Sequence, residues 1–214
     1  MKPNITLSPK EVERKKQMLL NYEASSPIIN DLVQAGFNIE RISDLFNQSL
    51  NYQDAIPILI FWLPKTDNIH VKESIVRALS VPWAKPMATK VLIDEFSKAN
   101  PNAIAYKWAV ANAISIVADD TSINCIVNLV KDKSHGKARE MLTLALGNMN
   151  DPYAEEVLLE LLDDDICTGY AIKVLVKLRS TRSLSKINEL TNHPIPWVRK
   201  EAKKAILILS RSIK

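Results

Sequence analysis

The sequence predicts an all-α protein: a right-handed α-solenoid of about five stacked helical hairpins behind an N-terminal helical cap. The first observation behind this is a motif that recurs through the chain. An apolar residue, usually followed by a base, opens copies at Val71, Tyr106, Ala138, Thr168 and Val198, which are 35, 32, 30 and 30 residues apart. Seven positions into each copy stand Ala78, Ala113, Ala145, Leu175 and Ala205, and one step further Leu79, Ile114, Leu146, Val176 and Ile206. Self-similarity at a period of about 20–50 residues is the signature of stacked repeats. The second observation is that 214 residues contain only 4 glycines. Strand-and-loop folds need more positive-φ positions than that, whereas helices joined by short turns do not. The third is the placing of the 11 prolines, many at segment starts such as Ser8-Pro9, Ser26-Pro27 and Asp151-Pro152, where the missing N–H costs little.

The elements follow in order. Ser8-Pro9-Lys10-Glu11 has the form of an N-cap with Glu three residues on, and predicts a helix through Val12, Met18 and Leu19 to about Tyr22. Ser26-Pro27 starts a second, short helix that Gly36 ends, and Asn38 opens a third with Ile39, Ile42, Leu45 and Phe46 on one face. These three elements do not follow the repeat. Terminal units of solenoids are atypical because one side faces water, so residues 1–50 are expected to be a cap and residues 51–214 one continuous repeat array. The first hairpin carries Ile56, Leu59, Ile60 and Leu63, turns at Pro64–Asn68, and continues over 69–80. The remaining pairs are read as 85–99 with 103–117, 121–131 with 136–149, 152–163 with 166–178, and 182–191 with 196–211. Neither helix of a pair can bury its apolar stripe alone, so each hairpin depends on its neighbours.

The pattern resembles the HEAT-repeat family of α-solenoids over roughly residues 51–214. The resemblance is carried by Val71-Lys72, Tyr106-Lys107, Ala138-Arg139 and Val198-Arg199, followed by Ala78-Leu79, Ala113-Ile114, Ala145-Leu146 and Ala205-Ile206. The fourth copy departs, with Thr168-Gly169 where the base belongs. The resemblance also implies an Asp in the turn before the base. Only Asp67 and the run Asp163-Asp164-Asp165 fit, so a regular Asp–Arg ladder is not predicted. It further implies that the second helices line a concave surface. The motif specifies architecture and leaves activity open.

Bulk composition bounds the function classes. With 47% apolar and 24% charged residues the chain reads as globular and not disordered. The net charge of +4 is unevenly placed: residues 166–214 hold 11 Lys and Arg against 2 Asp and Glu, while residues 1–165 hold 17 against 22. Such asymmetry permits an acidic partner at the C-terminal end, and equally describes a solvated charged face. Cys125 and Cys167 lie far apart in no metal-like spacing, and both are expected to be free, buried thiols. Met1 to Pro9 lacks the apolar core of a secretory signal, and the longest apolar run, Ala55 to Leu63, is too short to cross a bilayer. A cytoplasmic location and no membrane association are therefore expected.

Catalytic patterns are missing from the sequence. His70, His135 and His193 fall near the starts of second helices at different offsets, as polar turn residues do, and no zinc spacing, phosphate loop or nucleophile elbow occurs. The Asp163–Asp165 run lacks the alternating ligands of a calcium loop. It is expected to end one helix and place negative charge at the start of the next. No cofactor, metal or catalytic residue is predicted, and the chain is read as a non-enzyme.

The candidate site is the open face of the second helices. Offsets 2, 5, 6 and 9 from each motif origin avoid the inward stripe and bring together Glu73, Arg77, Trp108, Asn112, Glu140, Tyr170, Lys173, Lys177, Lys200, Lys203 and Lys204. Aromatic residues beside Arg or Lys are the composition of binding hot spots. Trp108 has two readings, an anchor in this groove or a cover over a neighbouring helix. The expected function is a non-enzymatic scaffold that recognises a protein or peptide through this face. The alternative is nucleic-acid binding, since HEAT-like bacterial DNA glycosylases have a similar architecture. A phosphate track would be formed by Lys72, Lys107, Arg139 and Arg199, and by the Lys200, Lys203 and Lys204 cluster. Against it, Glu73 and Glu140 interrupt the groove. Some HEAT-like proteins related to phycobilisome lyases handle tetrapyrroles, but neither cysteine here is placed for pigment attachment. Oligomeric state is not readable from the sequence.

Overall fold

The computed structural model describes residues 8–48 and 50–212. Among them are twelve α-helices and no strand, as the repeat pattern predicts. The chain forms two compact units, residues 1–79 and 80–214.

The first unit is built from α1 (Pro9–Gln34), the single turn α2 (Asp44–Asn47), α3 (Ile56–Trp62) and α4 (Ile69–Leu79). The predicted capping box forms: the Ser8 hydroxyl accepts from the Glu11 amide, and the Glu11 carboxylate accepts from the Ser8 amide at 2.8 Å. The two helices predicted for residues 9–36 are one. Pro27 removes an amide donor, yet the helix runs through it because Ile28 and Leu32, beyond it, are fully buried, and α1 packs on both α3 and α4. Gly36 does end this helix, at φ 97°, with the Phe37 amide returning to the Leu32 carbonyl at 3.1 Å. The third predicted helix is reduced to α2. The Asp44 carboxylate accepts from the Glu40 and Arg41 amides, holding residues 38–43 as a turn. Side-chain bonds from Trp62 Nε1 to Asp31 (2.7 Å) and Asn68 to Asn21 (2.9 Å) tie α1 to the hairpin.

The second unit stacks four hairpins. They are α5 (Met87–Lys98) with α6 (Ile104–Val117), α7 (Ile123–Lys131) with α8 (Ala138–Leu146), α9 (Pro152–Leu161) with α10 (Thr168–Lys177), and α11 (Leu184–Glu189) with α12 (Pro196–Leu209). Each second helix packs on the next, α6 on α8, α8 on α10 and α10 on α12. The reason is in the motif. Its origin, fourth and seventh positions are buried in every copy of this unit, from Tyr106, Val110 and Ala113 to Val198, Ala202 and Ala205. Alanine at the seventh position in three of these four copies, with Leu175 in the other, lets helix axes approach, and the apolar stripes then close over one another.

One expectation fails. Cys167 is buried, but Cys125 is exposed. On α7 the inward stripe is Ile123, Ile126, Val127 and Val130, which rotates position 125 into solvent. Burial pushes the Cys167 thiol up to about 11. We expect a thiol-specific colorimetric reagent at neutral pH to label one cysteine in the native protein and two after denaturation. Rapid labelling of both in the folded state would contradict this placement.

Candidate functional site

The base that opens the second helices points inward in this unit. Arg139, only 2% exposed, donates from Nε to the Val130 carbonyl at 2.6 Å and from both terminal nitrogens to the Asp164 carboxylate at 3.2 and 2.9 Å. Lys107 is 6% exposed, with Nζ 4.8 Å from the centre of the Phe96 ring. Arg199 donates to the His193 and Pro194 carbonyls at 2.8 and 2.9 Å. These three side chains are engaged within and between hairpins and do not form a surface track, whereas Lys72 is half-buried in the first unit and Lys200, Lys203 and Lys204 are exposed on α12.

The fourth copy lacks the base for a steric reason. A Cβ on Gly169 would lie 2.1 Å from the Trp197 ring. The indole of the next hairpin occupies the space that a side chain there needs.

The acidic run divides its work. Asp163 pairs with Lys186, Asp164 with Arg139, and Asp165 lies 3.5 Å from His193. Asp164 also accepts from the Ile166 and Cys167 amides, capping the turn into α10 as predicted. Burial pushes its carboxyl up, but the Arg139 hydrogen bonds and charge, with the two amides, outweigh it and hold it below the ordinary value. No cluster with metal-ligand geometry occurs among the described residues.

The predicted face is narrower than the sequence implied. Offset 5 is open only in the last two copies, at Lys173 and Lys203, because Val76, Ala111 and Thr143 are buried there in the first three. Arg77 is exposed but lies in the first unit, lining a hollow with Phe46, Asn47, His70 and Glu73. On the second unit Trp108 is 39% exposed and Asn112 half-buried. Glu140 and Tyr170 come together: burial first, then the Glu140 carboxylate, raises the Tyr170 phenol above its ordinary value. Tyr170 stacks at 5.1 Å on Trp197, and Lys173 Nζ lies 5.2 Å from the indole and 5.8 Å from the phenol ring. Lys177 is held by Asn148, which in turn donates to the Ser115 carbonyl. Lys200, Lys203 and Lys204 are exposed on α12.

Two features were missed. Between α10 and α12 lies a cavity of about 200 Å³ lined by Ile172, Lys173, Val176, Glu201, Lys204, Ala205 and Ile208. Its signal was the apolar residue at offset 10 of the last copy, Ile208, beside the lysines. In the first unit, α1, the turn at 40–43 and α4 enclose about 670 Å³ lined by Met18, Tyr22, Ile29, Arg41 and His70 among others. No sequence pattern marks that hollow, because it exists only through the continuity of α1.

Residues 138–164 match the family model described as the PBS lyase HEAT-like repeat. The stretch runs from the first residue of α8 through α9 to Asp164 and thus contains both ends of the buried ion pair. The match supports a HEAT-like repeat family for the chain, and the stacked hairpins of the second unit agree with it. No curated protein matches the chain.

Substituting Gly169→Ala should force the Trp197 ring out of its seat. We expect a loss of roughly 1–3 kcal/mol and a red-shifted tryptophan emission, measured by denaturant unfolding followed by fluorescence. Unchanged stability and emission would show that the indole does not rest on this backbone.

Proposed function

We propose that this chain is a non-enzymatic binding scaffold that recognises a protein or peptide through the open face of its second helices. The observation that carries the reading is the half-buried Tyr170 and exposed Trp197 beneath the exposed Lys173, with a further exposed aromatic residue, Trp108, on α6. Aromatic rings give a large contact area at low entropic cost, and a neighbouring cation supplies direction. HEAT-like repeats generally serve as non-catalytic interaction surfaces, which agrees with this reading. The engagement of Lys107, Arg139 and Arg199 within the hairpins takes these three out of a phosphate track and leaves nucleic-acid binding resting on the exposed Lys200, Lys203 and Lys204. We further propose a cytoplasmic location; separately, no described helix is long and apolar enough to cross a membrane.

Trp108→Ala tests the reading. Affinity capture with the wild-type and variant chains should retain a protein partner only with the wild type, while the melting temperatures agree. A stability loss of about 3–5 kcal/mol would instead make Trp108 a core residue and remove it from the surface. Capture that is indifferent to the substitution would contradict the proposed face.

A further inference from the structure

We infer that the α10/α12 end of this face takes an acidic peptide that inserts one apolar side chain between the two helices. The inference rests on the binding reading above and specifies its partner. Three observations carry it. The first is charge: Lys173, Lys177, Lys200, Lys203 and Lys204 are exposed on these two helices, and among the described residues none of the five is in an ion pair. By contrast, Lys131, Arg182 and Lys186, set by the first helices, are matched with Glu160, Glu155 and Asp163. Other exposed cations also lie outside any ion pair among the described residues, such as Lys10, Arg14, Lys15 and Lys16 on α1 and Lys98 and Lys133 in the second unit. These five, however, share two helices that pack on each other and flank one cavity. Exposed like charges repel within a Debye length of about 10 Å at 0.1 M salt, and an acidic partner relieves that repulsion.

The second observation is shape. The cavity between α10 and α12, of about 200 Å³, has Ile172, Val176, Ala205 and Ile208 as its apolar wall and Lys173, Lys204 and Glu201 as its polar groups. That volume is many times the ~10–15 Å³ that one water needs, so an aliphatic or aromatic side chain fits. Flanking carboxylates of the peptide would then meet Lys173 and Lys204. The third observation is selectivity. Glu201 lines the cavity, and Glu140 faces Tyr170 on the neighbouring helix. Two fixed carboxylates among the lysines penalise a continuous phosphate backbone, whereas a peptide can place its acids between them.

The test is a random peptide library displayed on phage and selected against the full chain at about 0.1 M salt, where screening length still spans neighbouring side chains. The selected peptides are then synthesised and their affinities measured by fluorescence polarisation. We expect recovered sequences enriched in Asp and Glu around one Leu, Ile or Phe. The double variant K173E/K204E should weaken them roughly tenfold, the size expected when two exposed pairs become repulsions, and added salt should weaken them further. The control K98E/K133E makes the same change of net charge at exposed positions away from α10 and α12 and should leave affinity unchanged. Both double variants should keep the wild-type helical circular dichroism and melting temperature.

Neutral or basic selected peptides, or affinity indifferent to K173E/K204E, overturns the inference. If those peptides are nevertheless lost in Trp108→Ala, the binding face stands and only its proposed partner falls. Recovery of no peptide removes both. A duplex oligonucleotide that displaces the peptides at equal concentration overturns the inference in favour of nucleic acid.

Discussion

The second unit hangs on a buried charge. Removing an arginine from water costs several kcal/mol unless its donors are satisfied, and Arg139 meets that demand with one carbonyl and one carboxylate. The carbonyl belongs to the end of α7, the arginine to the start of α8, and the carboxylate to the turn between α9 and α10. Three segments from two hairpins therefore share one geometry. Apolar stripes supply most of the stabilisation but are tolerant of sliding; the planar guanidinium fork is not. The pair sets the register in which α8 meets α10, and with it which side chains of those helices reach the surface.

Base residues consequently have two fates in this chain. In the second unit those at the second motif position are engaged by a ring, by carbonyls or by Asp164. Those at offsets 2, 5, 6 and 9 of the last two second helices, Lys200, Lys173, Lys203, Lys204 and Lys177, are exposed lysines outside any ion pair among the described residues. The net charge of +4 therefore understates the local field at α10 and α12. It also misplaces the origin of that field, because the recurrent bases Lys107 and Arg139 are buried.

The second unit was largely legible because its period is enforced by packing: every buried origin, fourth and seventh position follows from counting along the motif. What counting along a helix does not reveal is competition between local and tertiary demands. Ser26-Pro27 has the form of a helix start, but burial of Ile28 and Leu32 overrides it. Asn38 to Phe46 has helical spacing, but Asp44 captures the amides that a helix would use. The exposure of Cys125 follows from the apolar stripe that begins at Ile123. At the candidate face Trp108, Tyr170 and the lysines follow from their offsets, whereas Trp197, one residue before its motif origin, and the closed fifth offset of the early copies do not. Whether Val76, Ala111 or Thr143 meets solvent depends on helices elsewhere in the chain, as does the Trp197 ring that requires Gly169.

The most direct test of the register claim is a double-mutant cycle on Arg139→Met and Asp164→Leu, read by denaturant unfolding. The account predicts that each single substitution costs about 3–5 kcal/mol by stranding its partner. The double variant should recover a large part of that loss, giving a coupling energy of at least ~1 kcal/mol. Single substitutions that each cost under ~1 kcal/mol and simply add would contradict it, and would mean that the apolar seams alone hold these hairpins in place.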